Sequence, residues 1–158
     1  IGIFNIIQPS VASENYVDQI ILALKDMQSQ LNWGVIDNVL YYIKNADKVV
    51  FFGSQFSHSA ALHLQADLLM LGKFTIAYMD YEKQIESAKH LDQNSVAIII
   101  SVNGYFTQTA SKALQYAPLA DEVILLGDYQ YGHVGKHTLL TLVELMASRY
   151  NALFVHNK

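Results

Sequence analysis

The stretch Val49-Val50-Phe51-Phe52-Gly53-Ser54-Gln55-Phe56-Ser57-His58-Ser59 decides how this chain folds. Four consecutive apolar residues that stop at a glycine read as a β-strand buried on both faces, the kind found in parallel sheets. The hydroxyl-bearing turn behind it leads into a helix predicted over residues 59–71, closed by Gly72 in the C′ position. The same order returns downstream. Val96-Ala97-Ile98-Ile99-Ile100 is a second unbroken apolar run, Ser101-Val102-Asn103-Gly104-Tyr105-Phe106-Thr107 a second polar turn, and residues 107–116 a second helix.

Working outward, residues 16–31 carry Val17, Ile20, Ile21, Leu24, Met27 and Leu31 at helical spacing, and a second stripe holds Val35, Ile36, Val39, Leu40 and Ile43. The break Asn45-Ala46-Asp47-Lys48 separates this helix pair from the first strand. Further strands are expected at 74–78 and 122–126, a short polar helix at 82–90, and a last helix at 139–154. Strands that alternate with helices imply a three-layer α/β/α domain with a parallel sheet covered on both sides. Residues 1–45 are then the leading helices and 46–158 the α/β core of one domain.

The bulk numbers agree. The chain has 158 residues, 52% of them apolar and 15% charged, which suits one domain with a full core and excludes disorder. Its net charge is −4 and its ten basic residues are scattered, against a surface for duplex nucleic acid. There is no cysteine, so disulfides and thiolate metal sites are excluded and a reducing compartment is implied. No apolar run approaches the roughly 20 residues of a membrane span, and no basic start precedes an apolar block as in a signal peptide. A cytoplasmic protein with no membrane partner is expected. The sequence opens on Ile1 rather than Met, which suggests an excised fragment or an incompletely ordered amino end, with a partner domain outside it.

In open parallel sheets, ligands bind beyond the carboxyl ends of the strands, near the point where strand order reverses. The two polar turns lie at such ends, each before a helix start whose free N–H groups and dipole suit a phosphate oxygen. Ser54, Gln55, Ser57, Ser101, Asn103, Gly104, Tyr105 and Thr107 are the candidate ligand-binding residues. The same residues also serve as ordinary helix caps and turn formers. Neither turn contains Lys or Arg, so an anion here would be held by hydroxyls and backbone N–H groups. The potential bases and metal ligands are His58, His63, Glu82, Glu86, His133 and His137. His133 and His137 are four apart but lack an obvious third ligand, and His63 with Asp67 reads as a helix-face pair. No catalytic residue, metal or cofactor is therefore assigned. Tyr78, Tyr81, Tyr129 and Tyr131 read as packing residues, whereas Tyr105 sits inside the second turn.

Residues 49–59 and 98–107, with Ala117-Pro118-Leu119-Ala120-Asp121-Glu122-Val123, resemble the sugar isomerase (SIS) domain, most closely the C-terminal domain of RpiR-type transcription regulators. In that family's Gly-x-Gly-x-Ser turn, Gly53 and Ser57 match and Gln55 replaces the second glycine. In its Ser-x-Ser-Gly-x-Thr turn, Ser101 and Gly104 match, Asn103 replaces the second serine, and Thr107 falls one position late. Roughly twenty residues of the family pattern are lacking before Pro118, beyond ordinary boundary error, so either the sheet is one strand short or a stretch of chain is missing from this sequence. The resemblance implies flavodoxin-like topology and a sugar phosphate or related carbohydrate derivative as ligand. It also implies a homodimer or higher oligomer, and DNA contact only through a domain absent from this chain. An SIS-type aldose–ketose isomerase and a dimerisation-only domain are the alternatives.

Overall fold

Residues 13–53, 55–100, 121, 122, 124 and 134–156 are described by a computed structural model. After a 3-10 turn at Ser13–Asn15, the elements run α1 (Tyr16–Gln30), α2 (Trp33–Asn45), β1 (Lys48–Phe52), α3 (Phe56–Met70), β2 (Ile76–Ala77), α4 (Tyr81–Lys89), β3 (Ser95–Ile99) and α5 (Gly135–Tyr150), with a π-helical turn at Asn151–Val155. The described strands form a parallel sheet in the order β2-β1-β3. This is an α/β domain of the expected class.

Side-chain alternation places β1 between two covered faces. Val49, Val50 and Phe51 are all buried; Val49 and Phe51 join the main core, and Val50, on the opposite face, is fully enclosed outside it. The expected neighbour, β3, pairs with β1 from Lys48↔Ser95 to Phe52↔Ile99. Among the described strands it is the edge, with Ile99 57% exposed, so its apolar run is not buried on both faces as that of β1 is. The strand expected at 74–78 shrinks to Ile76–Ala77. Its flanks are taken up otherwise: the Gln65 side chain donates to Thr75 O at 2.9 Å, and Phe74 turns to solvent. Of residues 122–126, expected as a strand, Glu122 and Ile124 are described and lie in none; the rest, with the helix expected at 107–116, fall outside the described residues.

The helices bury their stripes against that sheet and one another. In α2, Ile36, Leu40 and Ile43 are fully buried, as the sequence implies, and Asn32 caps the helix by accepting from Val35 N at 3.2 Å. Of the expected α1 stripe, Leu24, Met27 and Leu31 join or pack against the core, and Val17 and Ile21 do not. Ala23 and Met27 are buried, while Val17 and Ile21 face solvent at 62% and 44% exposure. Gly72 takes φ +84 and ends α3, where Lys73 N donates to Leu68 O and Gly72 N to Leu69 O, both bonds of a Schellman motif. Lys73 Nζ then donates to Ala46 O at 2.6 Å, closing the carboxyl end of α2; partial burial holds this ammonium's pKa below its ordinary value.

Helix α5 completes the core with Leu139, Leu142, Val143, Met146, Ala147 and Tyr150 buried against α1, α2 and α3. It starts four residues before the expected Leu139, in a polar turn without apolar spacing, where Thr138 Oγ1 donates to Gly135 O. Arg149 near its end forms a two-pronged pair with Asp37 of α2 at 2.8 Å and lies over the Trp33 ring. The guanidinium holds the Asp37 carboxyl below its ordinary pKa.

Candidate functional site

The order β2-β1-β3 means that the chain leaves β1 to one side and later returns on the other, so strand order reverses between β1 and β3. Crevices at such reversals are where doubly wound sheets bind ligands. Gly53 stands at this point. A Cβ on Gly53 would lie 2.9 Å from Ser57 Cβ and 3.3 Å from Ile100 O, so the end of β1, the first turn of α3 and the end of β3 meet with room only for glycine. The ladder also continues past β3, with Ile100 N donating to Phe52 O at 2.9 Å. Gly53 and Ile100 therefore stand at adjacent strand ends.

The helix start differs from the sequence reading. α3 begins at Phe56 rather than Ser59, and Ser57 packs closely against Gly53 and is 6% exposed. Ser57 thus belongs to the first helical turn instead of a loop. Gln55 precedes the helix with φ 52 and ψ −120, and its carbonyl accepts from Ser59 N at 3.1 Å. His58 is half-buried and its Nε2 is enclosed without a hydrogen-bond partner among the described residues. Ser54, Ser101, Asn103, Gly104, Tyr105 and Thr107 lie outside the described residues. Of the candidate ligand residues, Gln55 and Ser57 are therefore the two placed, both at the amino end of α3.

Two side chains at this edge were not assigned from sequence. Gln84 of α4 donates from Nε2 to Gly53 O at 2.9 Å and to Tyr78 O at 2.8 Å, tying the ends of β1 and β2 together. A lone Gln in a polar helix gives no such signal. Lys136, in the first turn of α5, places Nζ 5.4 Å from the centroid of the Phe56 ring. A cation absent from both turns is thus supplied by an element some 80 residues along the chain from Phe56, a proximity that no local spacing encodes.

The remaining titratable candidates belong to the scaffold or to the surface. His137 Nε2 is 3.1 Å from Tyr16 OH, tying α5 to α1. Glu86 is exposed and pairs with Lys89 and His90; His63 and Glu82 are exposed. His133 lies outside the described residues. Among the described residues no group of three His, Cys, Asp or Glu side chains could hold a metal ion, and no helix is long and apolar enough to cross a membrane.

No family model and no curated protein matches the sequence. Solved structures do match. The Vibrio vulnificus NanR protein, complexed with ManNAc-6P, superposes with a TM-score of 0.74 at 15% identity, over 89% of this chain and 62% of that one. The sugar isomerase domain of an RpiR transcription factor from Sphaerobacter thermophilus gives 0.72 at 19% identity, over 88% of this chain and 89% of that domain. The fold is that of a sugar isomerase domain. The chain spans less than two thirds of the Vibrio protein and nearly all of the Sphaerobacter domain. A sugar isomerase fold accounts for the two leading helices and for the strand reversal at Gly53 alike.

Proposed function

We propose that this chain is the ligand-sensing and dimerisation domain of an RpiR-type transcription regulator, acting in the cytoplasm and binding a sugar phosphate or a related anionic carbohydrate. The observation that carries the reading is the reversal between β1 and β3, where Gly53, Ser57 and Ile100 O converge. The first turn of α3 supplies backbone N–H groups and the positive end of a helix dipole, and Lys136 lies over the ring of Phe56 at its start. Ser57 supplies a hydroxyl in that turn, and Ser54, Ser101, Asn103, Gly104, Tyr105 and Thr107 complete the site from the two turns. Duplex contact belongs to a domain outside this chain, in keeping with its charge of −4. The reading is of a binding module without catalysis, since no candidate base, His58 included, sits in a recognisable isomerase motif.

Calorimetric titration with N-acetylmannosamine 6-phosphate, glucose 6-phosphate and fructose 6-phosphate is the test. Binding is expected for at least one, and Ser57→Ala should weaken it about tenfold, the loss of one hydrogen bond to a charged group. Turnover of any of them, or no binding at all, would overturn the proposal. Light scattering should give at least twice the 17.7 kDa of one chain.

A further inference from the structure

We infer that two copies of this chain meet through one face, formed by the outer side of α3 and the segment that leads from it into β2. The inference rests on the dimerisation part of the reading proposed above and deepens it. It starts from the composition of α3. Of the fifteen residues Phe56–Met70, histidines aside, Asp67 alone is ionisable. Ala60, Ala61, Leu64 and Leu68 are buried towards the core, yet Leu62, Ala66, Leu69 and Met70 are exposed. A helix that is apolar around its whole circumference belongs in an interior, and a single copy covers one side of this one. By contrast, the apolar residues exposed on α1 share that helix with the exposed charges of Asp18 and Lys25.

Phe74, just past the Gly72 stop, extends the outer stripe. Its ring is 72% exposed and has no ring or cation against it among the described residues, whereas Trp33 lies under Arg149 and Tyr41 packs edge-on against Phe154. Beside Phe74 runs a groove of about 190 Å³, lined also by Gln65, Ala66, Leu69 and Thr75. An apolar cavity of roughly 150 Å³ admits benzene, so this groove has room for a phenyl ring. A protruding ring and a hole that fits it thus stand side by side on one surface. A two-fold contact requires that arrangement, because the same patch must complement itself. The scarcity of charge on α3 lets the face meet its copy without repulsion. The area is also sufficient. Leu62, Leu69, Met70 and Phe74 are 42%, 57%, 85% and 72% exposed, which at about 200 Å² for a side chain of this size presents on the order of 500 Å². A standard interface takes about 800 Å² from each partner, and in homodimers about two thirds of it is apolar.

Analytical ultracentrifugation of the wild type, Phe74→Asp, Leu69→Asp and a control on α1, Ile21→Asp, tests the face, with circular dichroism to show that each is folded. The wild type and Ile21→Asp should sediment at twice the 17.7 kDa of one chain. Phe74→Asp and Leu69→Asp should each associate at least about a hundredfold more weakly, since the contact would bury a carboxylate without a partner. Phe74→Asp, at the more exposed side chain, decides the matter if Leu69→Asp does not fold. A dimer of unchanged affinity in folded Phe74→Asp would overturn the inference, leave dimerisation to another surface and free this face for a partner of different sequence. Equal dissociation of Ile21→Asp would also overturn it, since the contact would then not be confined to this face. A monomeric wild type would overturn both the inference and the dimerisation reading.

Discussion

Replacing Gly53 by alanine places a methyl carbon 2.9 Å from Ser57 Cβ, where two carbons prefer about 3.5–4.0 Å. The same carbon would meet the Ser57 carbonyl carbon and Ile100 O, each at 3.3 Å. Both are backbone atoms, so no flexible side chain can swing aside. Gly53 does not have a positive φ, so alanine suffers no torsional penalty and the whole effect is steric. Overpacking of this kind costs about 1–3 kcal/mol, which in a domain of this size lowers the melting temperature by roughly 2–12 °C. To make room, α3 must withdraw from the end of β1 by several tenths of an ångström, carrying with it the N–H groups proposed to hold the anion. Gly53→Ala should therefore lose sugar-phosphate affinity as well as stability. Thermal denaturation followed by circular dichroism reads the first effect, and calorimetry the second. Adding Ser57→Gly removes the nearest carbon and should recover part of the stability, although glycine in a helix has its own cost of about 1 kcal/mol. An unchanged melting temperature in Gly53→Ala would refute the close approach on which the site is built.

Two further outcomes follow from charges. The folded-state pKa of Asp37 lies below its ordinary value of 3.8, so its ion pair with Arg149 contributes stability that is present at neutral pH and lost as pH falls below 3.8. Asp37→Asn should flatten that part of the acid stability profile, leaving the slope due to Asp92, whose carboxyl is held low by Asn94 N and Ser95; an unaltered profile in urea titrations at pH 2–5 would contradict the pairing. Lys136→Met keeps an apolar stem over Phe56 and removes the cation, so it should weaken sugar-phosphate binding and reduce its salt dependence with little change in melting temperature.

Continuous apolar runs made β1 and β3 legible in the sequence, and the alternation of elements gave the parallel sheet. Gly72 was legible as a helix stop because only glycine takes φ +84 without strain. Helix starts were harder. The Ser-rich segment before Ser59 reads as a turn by composition, yet the helix starts at Phe56, and Ser57 in its first turn packs closely against Gly53. Of the α1 stripe, Leu24, Met27 and Leu31 lie on the core side as read, whereas Val17 and Ile21 fit helical spacing equally well yet face solvent, and Ala23 is buried beside Met27. At the site, the place of the first turn behind β1 was legible, while Ser54 and residues 101–107 lie outside the described residues. Gln84 and Lys136 were not legible, because each arrives from a separate element and its role depends on which strand ends and helix ends lie together.

The place of α5 in the chain has a consequence for how the protein is made. Its residues from Leu139 to Tyr150 fill the space between α1, α2 and α3, so the interior draws on residues from Met27 to Tyr150. A ribosome releases the chain from its amino end, and domains generally fold as units during synthesis. Here the leading helices and β1 emerge with Ile36, Leu40, Ile43 and Phe51 lacking their last partner until more than 80 further residues are translated. The nascent domain thus spends several seconds, at about 5–20 residues per second, with an open apolar cleft. That interval, rather than the finished fold, is where truncation, pausing or loss of chaperone would drive aggregation.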